Sequence, residues 1–320
     1  MRIGLAGVGH LGKIHLKCLL NTPFDIVGIY DPSEDSRRFV AAEYPDIHIF
    51  DTLEELIQAV DCIDIVSPTT HHYGIAEQAI KAGKHIFIEK PLTETTEQAG
   101  SLVNLAKEHK VLVQVGHVER YNPAIRSLSN VDFKPKFIEA HRLSVFNPRG
   151  TDVSVVLDLM IHDIDIVLHL IKDEVIDIRA NGVSIVSPKP DICNARLEFA
   201  GGAVANITAS RISMKNMRKL RVFQEDAYIS LDFLDKEAQV IKIEDDDGTQ
   251  DFAGMTLNTN AGVKRIMVES PSIMANNAIE DELNDFYKSV RMDLPVHVTI
   301  EDGYKALKIA QIIEEKISGR

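Results

Sequence analysis

Up to about residue 120 the chain alternates short, continuous apolar runs with longer segments of helical periodicity. The apolar runs Arg2–Ala6, Asp25–Tyr30, Ile47–Phe50, Cys62–Ser67, His85–Glu89 and Val111–Val115 predict strands, several of them buried on both faces. Between them, His10–Asn21, Ser33–Tyr44, Leu53–Val60, His71–Ala82 and Thr93–His109 predict helices, the fourth ended by Gly83. Strand and helix in alternation imply right-handed crossovers and a doubly wound parallel sheet, whose carboxyl edge is where ligands sit. After Tyr121 the period shortens. Phe137–Val145, Val175–Ile185, Cys193–Phe199, Val204–Ile212, Lys219–Gln224, Tyr228–Phe233 and Gln239–Glu244 read as strands with alternating faces. Gly201-Gly202 signals a hairpin, and Asp245-Asp246-Asp247-Gly248 reads as a solvated turn, lacking the ligand spacing of a calcium loop. Helices at Ala278–Met292 and Glu301–Ile317 are expected to close an antiparallel sheet, with packing of the last one back on the first domain as the alternative.

The first strand passes directly into Gly7-Val8-Gly9-His10-Leu11-Gly12. In a G-x-G-x-x-G between strand and helix, the first glycine allows the tight turn and the second lets the backbone approach a pyrophosphate. The third lets helix pack on strand, and the phosphates meet the free N–H groups of the helix start. Asp31 ends the second strand, 19 residues after Gly12. An acid there accepts both ribose hydroxyls of NAD and repels the 2′-phosphate of NADP. Arg37 and Arg38, which would favour NADP if they faced the ribose, read as the exposed face of a helix, so NAD is expected over NADP. The expected fold class is therefore α/β: an N-terminal Rossmann doubly wound parallel sheet over residues 1–120, then a C-terminal α+β domain with a mainly antiparallel sheet over 121–320. Polar segments follow several strands of the first domain and should converge on one crevice. Ser67, Pro68, Thr69, His72, Glu89 and Lys90 join Gly7, Gly9, His10, Leu11, Gly12 and Asp31 as candidate cofactor residues, and Glu119, Arg120 and Tyr121 as candidate substrate residues.

One helix interrupts the strands of the second half, from about Val155 to Ile171. Asp158, His162, Asp165 and His169 recur at i, i+4, i+7 and i+11, a stripe about 60° wide at about 100° per residue. Its other positions are almost all apolar, so the helix is largely buried and the stripe needs hydrogen-bond partners or a wet cavity. The sites read from the pattern contain no metal: nicotinamide chemistry needs none, and no second cluster supports one.

Composition narrows the partners. A chain of 320 residues supports two domains. A formal charge of -13 argues against nucleic acid and against an anionic membrane surface. Apolar stretches are too short to span a bilayer, and the start of the chain reads as a strand rather than a signal peptide. Cys18, Cys62 and Cys193 are separated and embedded in apolar runs, as reduced buried thiols of a cytoplasmic protein would be.

The glycine turn, Glu89-Lys90-Pro91, the Asp158-to-Asp165 helix and Val298-Thr-Ile-Glu-Asp-Gly303, in that order, resemble the glucose–fructose oxidoreductase / inositol dehydrogenase / rhizopine catabolism family. The resemblance implies a Rossmann domain, a second domain built on a large open, mainly antiparallel sheet, NAD(P), and redox chemistry at a sugar or cyclitol carbon. It places the family's lysine at Lys90, its catalytic acid at Asp158 and its catalytic histidine at His162. The chain departs at Met160, where many members carry glycine, and a side chain there is expected to narrow or reshape the pocket. Chemistry supports the same roles: removing hydride from a secondary alcohol requires a base at the hydroxyl, which His162 can supply with Asp158 orienting its ring. Lys90 can stabilise the alkoxide and also touch substrate. Glu89 would hold a nicotinamide-ribose hydroxyl, and Pro91 would fix the bend that aims the lysine.

The wording from Leu159 to Leu168 resembles members that oxidise the 3-hydroxyl of UDP-N-acetylglucosamine-type sugars, and Arg120, Arg142, Arg149 and Arg211 could meet a diphosphate. A cyclitol or free monosaccharide is the alternative substrate, redox-assisted glycoside cleavage a related reaction, and a non-catalytic NAD(P) sensor the alternative of another class. The expected partner is a small sugar or nucleotide sugar, with no nucleic acid and no membrane. A homodimer or homotetramer is expected, because one face of a large antiparallel sheet in such a family is commonly covered by another subunit.

Overall fold

The computed structural model describes residues 1–147, 153–246, 255–260 and 262–319. The chain divides into two compact units: residues 1–121 with 277–311, and residues 122–276 with 312–320.

In the first unit the strands are β1 (Arg2–Ala6), β2 (Asp25–Tyr30), β3 (His48–Ile49), β4 (Cys62–Ile65), β5 (His85–Glu89) and β6 (Val113–Gly116). They form one sheet in the order β3-β2-β1-β4-β5-β6, every pairing parallel. The intervening helices are α1 (His10–Leu19), α2 (Glu34–Glu43), α3 (Leu53–Ala59), α4 (Thr69–Lys81) and α5 (Thr96–His109). Local chemistry sets their ends. Ser33 caps α2 through the Ser36 N–H. Thr52 with Glu55 and Thr95 with Gln98 form capping boxes on α3 and α5. The second box explains why α5 starts three residues after the expected Thr93. Gly83, with φ +71, follows the end of α4 in the left-handed conformation. β3 is shorter than the expected Ile47–Phe50: His48 and Ile49 pair with Gly28 and Ile29, and past them Phe50 adds only its N–H to the Ile29 carbonyl at 2.9 Å. One apolar cluster gathers Leu5, Val8, Leu16, Ile29 and Val40; a second gathers Ile3, Leu19, Phe24, Phe87, Leu283 and Phe286.

After the short α6 (Pro123–Arg126) comes β7 (Phe137–Leu143), then a π-helical turn, Val156–Met160, leading into α7 (Ile161–Leu170). The sheet continues with β8 (Val175–Val183), β9 (Ile192–Phe199), β10 (Val204–Ser210), β11 (Met217–Phe223), β12 (Ala227–Asp232), β13 (Glu237–Asp245), β14 (Met255–Thr259) and β15 (Gly262–Glu269). Its order is β14-β15-β13-β12-β11-β7-β10-β9-β8, antiparallel throughout except where β10 runs parallel to β7. Strands β7, β9 and β10 alternate buried with half-exposed residues, as a sheet covered on one face should. Strands β14 and β15 were not expected from the sequence: β14 is exposed throughout and β15 nowhere fully buried, so neither carries an apolar alternation. Of the expected acidic turn, Asp245 ends β13 and Asp246 pairs with Arg265, while Asp247 and Gly248 lie outside the described residues.

The helix α8 (Ala278–Met292) does not close the antiparallel sheet as expected. It packs on α1, on β5 and on the 3-10 turn Val118–Tyr121, because Leu283 and Phe286 complete the apolar cluster of the first unit. The final helix, α9 (Ile300–Ser318), starts in the first unit, where Gly303 allows close contact with Val115. Cys18, Cys62 and Cys193 are free and buried, and burial pushes the Cys62 and Cys193 thiols up to about 12. No helix among the described residues is long and apolar enough to cross a membrane.

Candidate active site

Gly7 adopts φ +100, and a Cβ on it would stand 2.7 Å from the Ser67 nitrogen, so only glycine fits. A Cβ on Gly12 would meet the Gly7 carbonyl oxygen at 2.1 Å, which is how close α1 lies to the turn. On Gly9, the N-cap of α1, a Cβ meets nothing within 4 Å. This open approach, with no capping side chain and no acid in the first turn of α1, leaves N–H groups and the positive helix end available to a phosphate. His10 and Leu11 are exposed on that first turn.

Asp31 is held from two sides: the Val8 N–H donates to Oδ2 at 2.6 Å and the Ser33 N–H to Oδ1 at 2.8 Å. Each oxygen keeps lone pairs for a ribose hydroxyl. Arg38 is exposed and paired with Glu34, as expected of a surface helix, whereas Arg37 donates to the carbonyls of Asp31 and Pro32. Gly7, Gly9, Asp31, Ser67 and Pro68 line one cavity of about 690 Å³. Its other wall is α4, through Thr70 and His71 of the polar segment that follows β4, and through Gly74 and Gln78, which the sequence pattern did not single out because they look like an ordinary helix face. The size, the glycine cradle and the acid together suit the adenosine diphosphate half of a dinucleotide.

The loops after β4 and β5 are tied together by His72. It is buried; its Nδ1 lies 2.9 Å from the Pro91 carbonyl oxygen and its Nε2 2.9 Å from that of Ser67. Burial lowers its pKa below the usual imidazole value. Thr69 begins α4, and Lys90, half-buried, follows the end of β5 with a cis bond to Pro91. Glu89 is turned inward: the Lys90 N–H donates to its Oε2 at 3.2 Å, and its Oε1 lies 3.2 Å from His15 Nε2. Glu119, Arg120 and Tyr121 are all buried. Arg120 stands 3.6 Å from Asp302, and the Tyr121 hydroxyl accepts from Gln114 at 3.3 Å, so both have internal partners in the first unit.

In the second unit, the expected helix begins with the π turn, which α-helical periodicity could not show. Asp158 is 44% exposed and its Oδ2 lies 3.8 Å from an Arg211 nitrogen; Arg211 also donates to the Val153 carbonyl at 2.6 Å. His162 is half-buried. Farther along the stripe the surroundings change. Asp165 is buried, and His169 lines a separate cavity of about 730 Å³ with Lys134, Lys136 and Lys172. Met160 is fully buried. Nor does Arg142 await a diphosphate: it is buried in a two-pronged pair with Asp163, at 2.9 and 3.0 Å. Arg149 lies outside the described residues.

Comparison with known proteins agrees with this architecture. Residues 1–117 match the model of an oxidoreductase family with an NAD-binding Rossmann fold, and residues 130–230 match the GFO/IDH/MocA C-terminal domain. The chain is 34% identical, over 97% of its length and 95% of the relative's, to the UDP-N-acetylglucosamine 3-dehydrogenase of Acidithiobacillus ferrooxidans. A solved structure of that enzyme superposes over 100% of this chain and 98% of its own with a TM-score of 0.89. The scyllo-inositol 2-dehydrogenase (NAD(+)) of Bacillus subtilis is 28% identical over 67% of this chain and 68% of its own. The chain is an NAD-binding oxidoreductase and belongs to the Gfo/Idh/MocA family.

Proposed function

We propose that this protein oxidises a secondary hydroxyl of a nucleotide sugar, the 3-hydroxyl of UDP-N-acetylglucosamine, with NAD. The observation that carries the reading is the 34% identity to a dehydrogenase of that name, sustained over nearly the whole of both chains. The cradle at Gly7, Gly9 and Gly12 and the two-sided hold on Asp31 would seat the dinucleotide, and NAD, when bound, accepts the hydrogen and electron pair from the substrate carbon. The residues of the chain manage the proton. His162 takes it from the hydroxyl and passes it to solvent; Asp158 favours the protonated ring, and the Lys90 ammonium stabilises the developing alkoxide. Arg211, beside Asp158, limits how much negative charge the ring feels.

The test is an absorbance screen of nucleotide sugars, cyclitols and hexoses with NAD and NADP, alongside Lys90→Ala and His162→Ala. Reduction of NAD with UDP-N-acetylglucosamine, and turnover falling by about 10²-fold or more in each variant with NAD affinity kept, is the expected result. Reduction of NAD with inositols alone would favour the second reading, a cyclitol dehydrogenase, which the Bacillus subtilis relative supports. Wild-type rates in both variants would remove these residues from the chemistry.

We also infer a cytoplasmic homodimer or homotetramer joined through the second unit's sheet. The cross-strand row Phe137, Phe223, Tyr228, Ile241 and Val268 runs over five strands on its half-exposed face, with Phe223 39% and Val268 55% exposed. Light scattering in solution tests it, and a monomer at all concentrations would refute it.

A further inference from the structure

His15 lies one turn past the glycine cradle on α1, where the sequence reads as an ordinary apolar helix face, and its side chain is fully buried. Asp64 Oδ2 stands 3.0 Å from its Nδ1 in a hydrogen bond, and Glu89 Oε1 stands 3.2 Å from its Nε2, an ion-pair distance outside hydrogen-bond alignment. A neutral imidazole carries one N–H and can face only one ionised carboxylate with it; an imidazolium can face both, and its charge offsets the burial that by itself pushes the Asp64 carboxyl up. The Glu89 carboxylate has little room to choose otherwise. A Cβ on Gly116 would come within 2.5 Å of Glu89 Oε1, so the carboxylate lies directly against the β6 backbone, while its Oε2 receives the Lys90 N–H. The chain of contacts therefore runs from Asp64 through His15 and Glu89 to the backbone of Lys90.

A third acid faces this group from α8. Glu282 is fully buried, neither of its oxygens has a hydrogen-bond partner, and one ligand atom each from His15, Glu89 and Glu282 falls within 4.8 Å of the others. Cys18 completes the titratable groups that bear on His15. Three carboxyls and one imidazole in a dry interior cannot all be ionised, so the cluster must retain protons or hold a cation. Glu282, unpaired, is the carboxyl that burial and the neighbouring Glu89 keep neutral. For His15, burial acts to lower the pKa, but Asp64 and Glu89 outweigh it and hold the ring's affinity for its proton well above the usual value.

We propose that His15 is a positioning residue for the oxidoreductase reaction, a buried imidazolium that locks Glu89 and through it the backbone of Lys90. The inference rests on the assignment of Lys90 to the chemistry. It gives Glu89 a structural task besides any contact with ribose, and it explains why a histidine stands on a helix face that would otherwise be filled by an aliphatic side chain.

The direct test is imidazole ¹⁵N NMR on the wild-type protein without cofactor, which needs no variant to fold. His15 is expected to show two protonated ring nitrogens at pH 7 and to keep them to alkaline pH; a neutral His15 ring at pH 7 overturns the proposal. The same sample titrated with Zn²⁺ or EDTA is expected to keep its melting temperature. A rise of several degrees with Zn²⁺, or a fall with EDTA, also overturns it, since a cation would then balance the cluster. In kinetics, His15→Gln is expected to lower kcat by about 10- to 100-fold while the NAD dissociation constant changes little. Its kcat–pH profile should change, and Asp64→Asn should fall in the same direction. A folded His15→Gln with wild-type kcat, beside an inactive Lys90→Ala, sinks the positioning role alone. An active Lys90→Ala sinks the assignment on which it rests.

Discussion

Arg142 on β7 and Asp163 on α7 meet side-on in the interior of the second unit, guanidinium fork against carboxylate, each with a side chain 3% exposed. The pair fastens the helix that carries His162 to the centre of the nine-stranded sheet. Removing one partner leaves a buried charge uncompensated, which costs about 3–5 kcal/mol. Asp163→Ala is therefore expected to lower unfolding stability by that amount in urea titrations. The double variant Arg142→Met/Asp163→Leu should recover most of the loss; no recovery would mean that the pair does more than neutralise itself.

Asp31 both shapes the glycine turn, through the Val8 N–H, and presents its oxygens to the cofactor cavity. A hydrogen bond to a charged group is worth about 1.5–3 kcal/mol. Asp31→Ala should therefore weaken NAD binding by roughly 10- to 100-fold by calorimetry, with NADP affected less because the repulsion of its 2′-phosphate is relieved. Equal losses for both dinucleotides would show that the turn, and not the ribose, is what Asp31 serves.

Asp191 predicts behaviour in acid. Burial acts to raise its pKa, but the Ser187 hydroxyl at 2.5 Å and the N–H groups of Ile185, Val186 and Ser187 at 2.7, 2.7 and 3.1 Å outweigh it and hold the carboxyl far below the usual carboxylate range. A depressed folded value means that the stabilisation is complete above the unfolded carboxylate pKa, about 3.9, and is lost as pH falls toward the folded one. Asp191→Asn should cost about 2 kcal/mol at pH 7 and progressively less below about pH 4. Thermal melts across that range would show a constant difference if the carboxylate were irrelevant.

Glu282 predicts the opposite slope. Its folded pKa is raised, so its contribution is complete below the unfolded value, about 4.3, and declines as pH rises toward the folded one. While the folded protein keeps that one extra proton, stability falls by about 1.4 kcal/mol per pH unit. Glu282→Gln removes the dependence, and its melting temperature relative to wild type should climb from pH 5 to pH 8. A flat difference would mean that Glu282 is ionised in the fold.

The site residues differ in how far each one's task is local. Gly7, Gly12 and Asp31 were legible because the turn, the close helix and the ribose acid are separated by short, fixed lengths of chain. Lys90 and His162 stood out through motif wording and helical spacing. His15, Asp64 and Glu282 were invisible for the opposite reason: α1, β4 and α8 lie far apart in sequence, and each residue looks unexceptional in its own element. Arg142 misled because a lone arginine on an alternating strand carries no sign of its partner. Strands β14 and β15 escaped because, without a buried side, their residues lack an alternating pattern.

What the amino-acid order determined by itself was periodicity and local stereochemistry: a parallel sheet, then a mainly antiparallel one, with a dinucleotide turn at the start. Those features depend on neighbours within a few residues, where φ/ψ limits and side-chain alternation act directly. Only the tertiary structure decided which charges became buried partners, that α8 joins the first unit, and that the His162 helix opens with a π turn. Pairing across long separations depends on which apolar faces are buried together, and that is a property of the packed chain rather than of any segment of it.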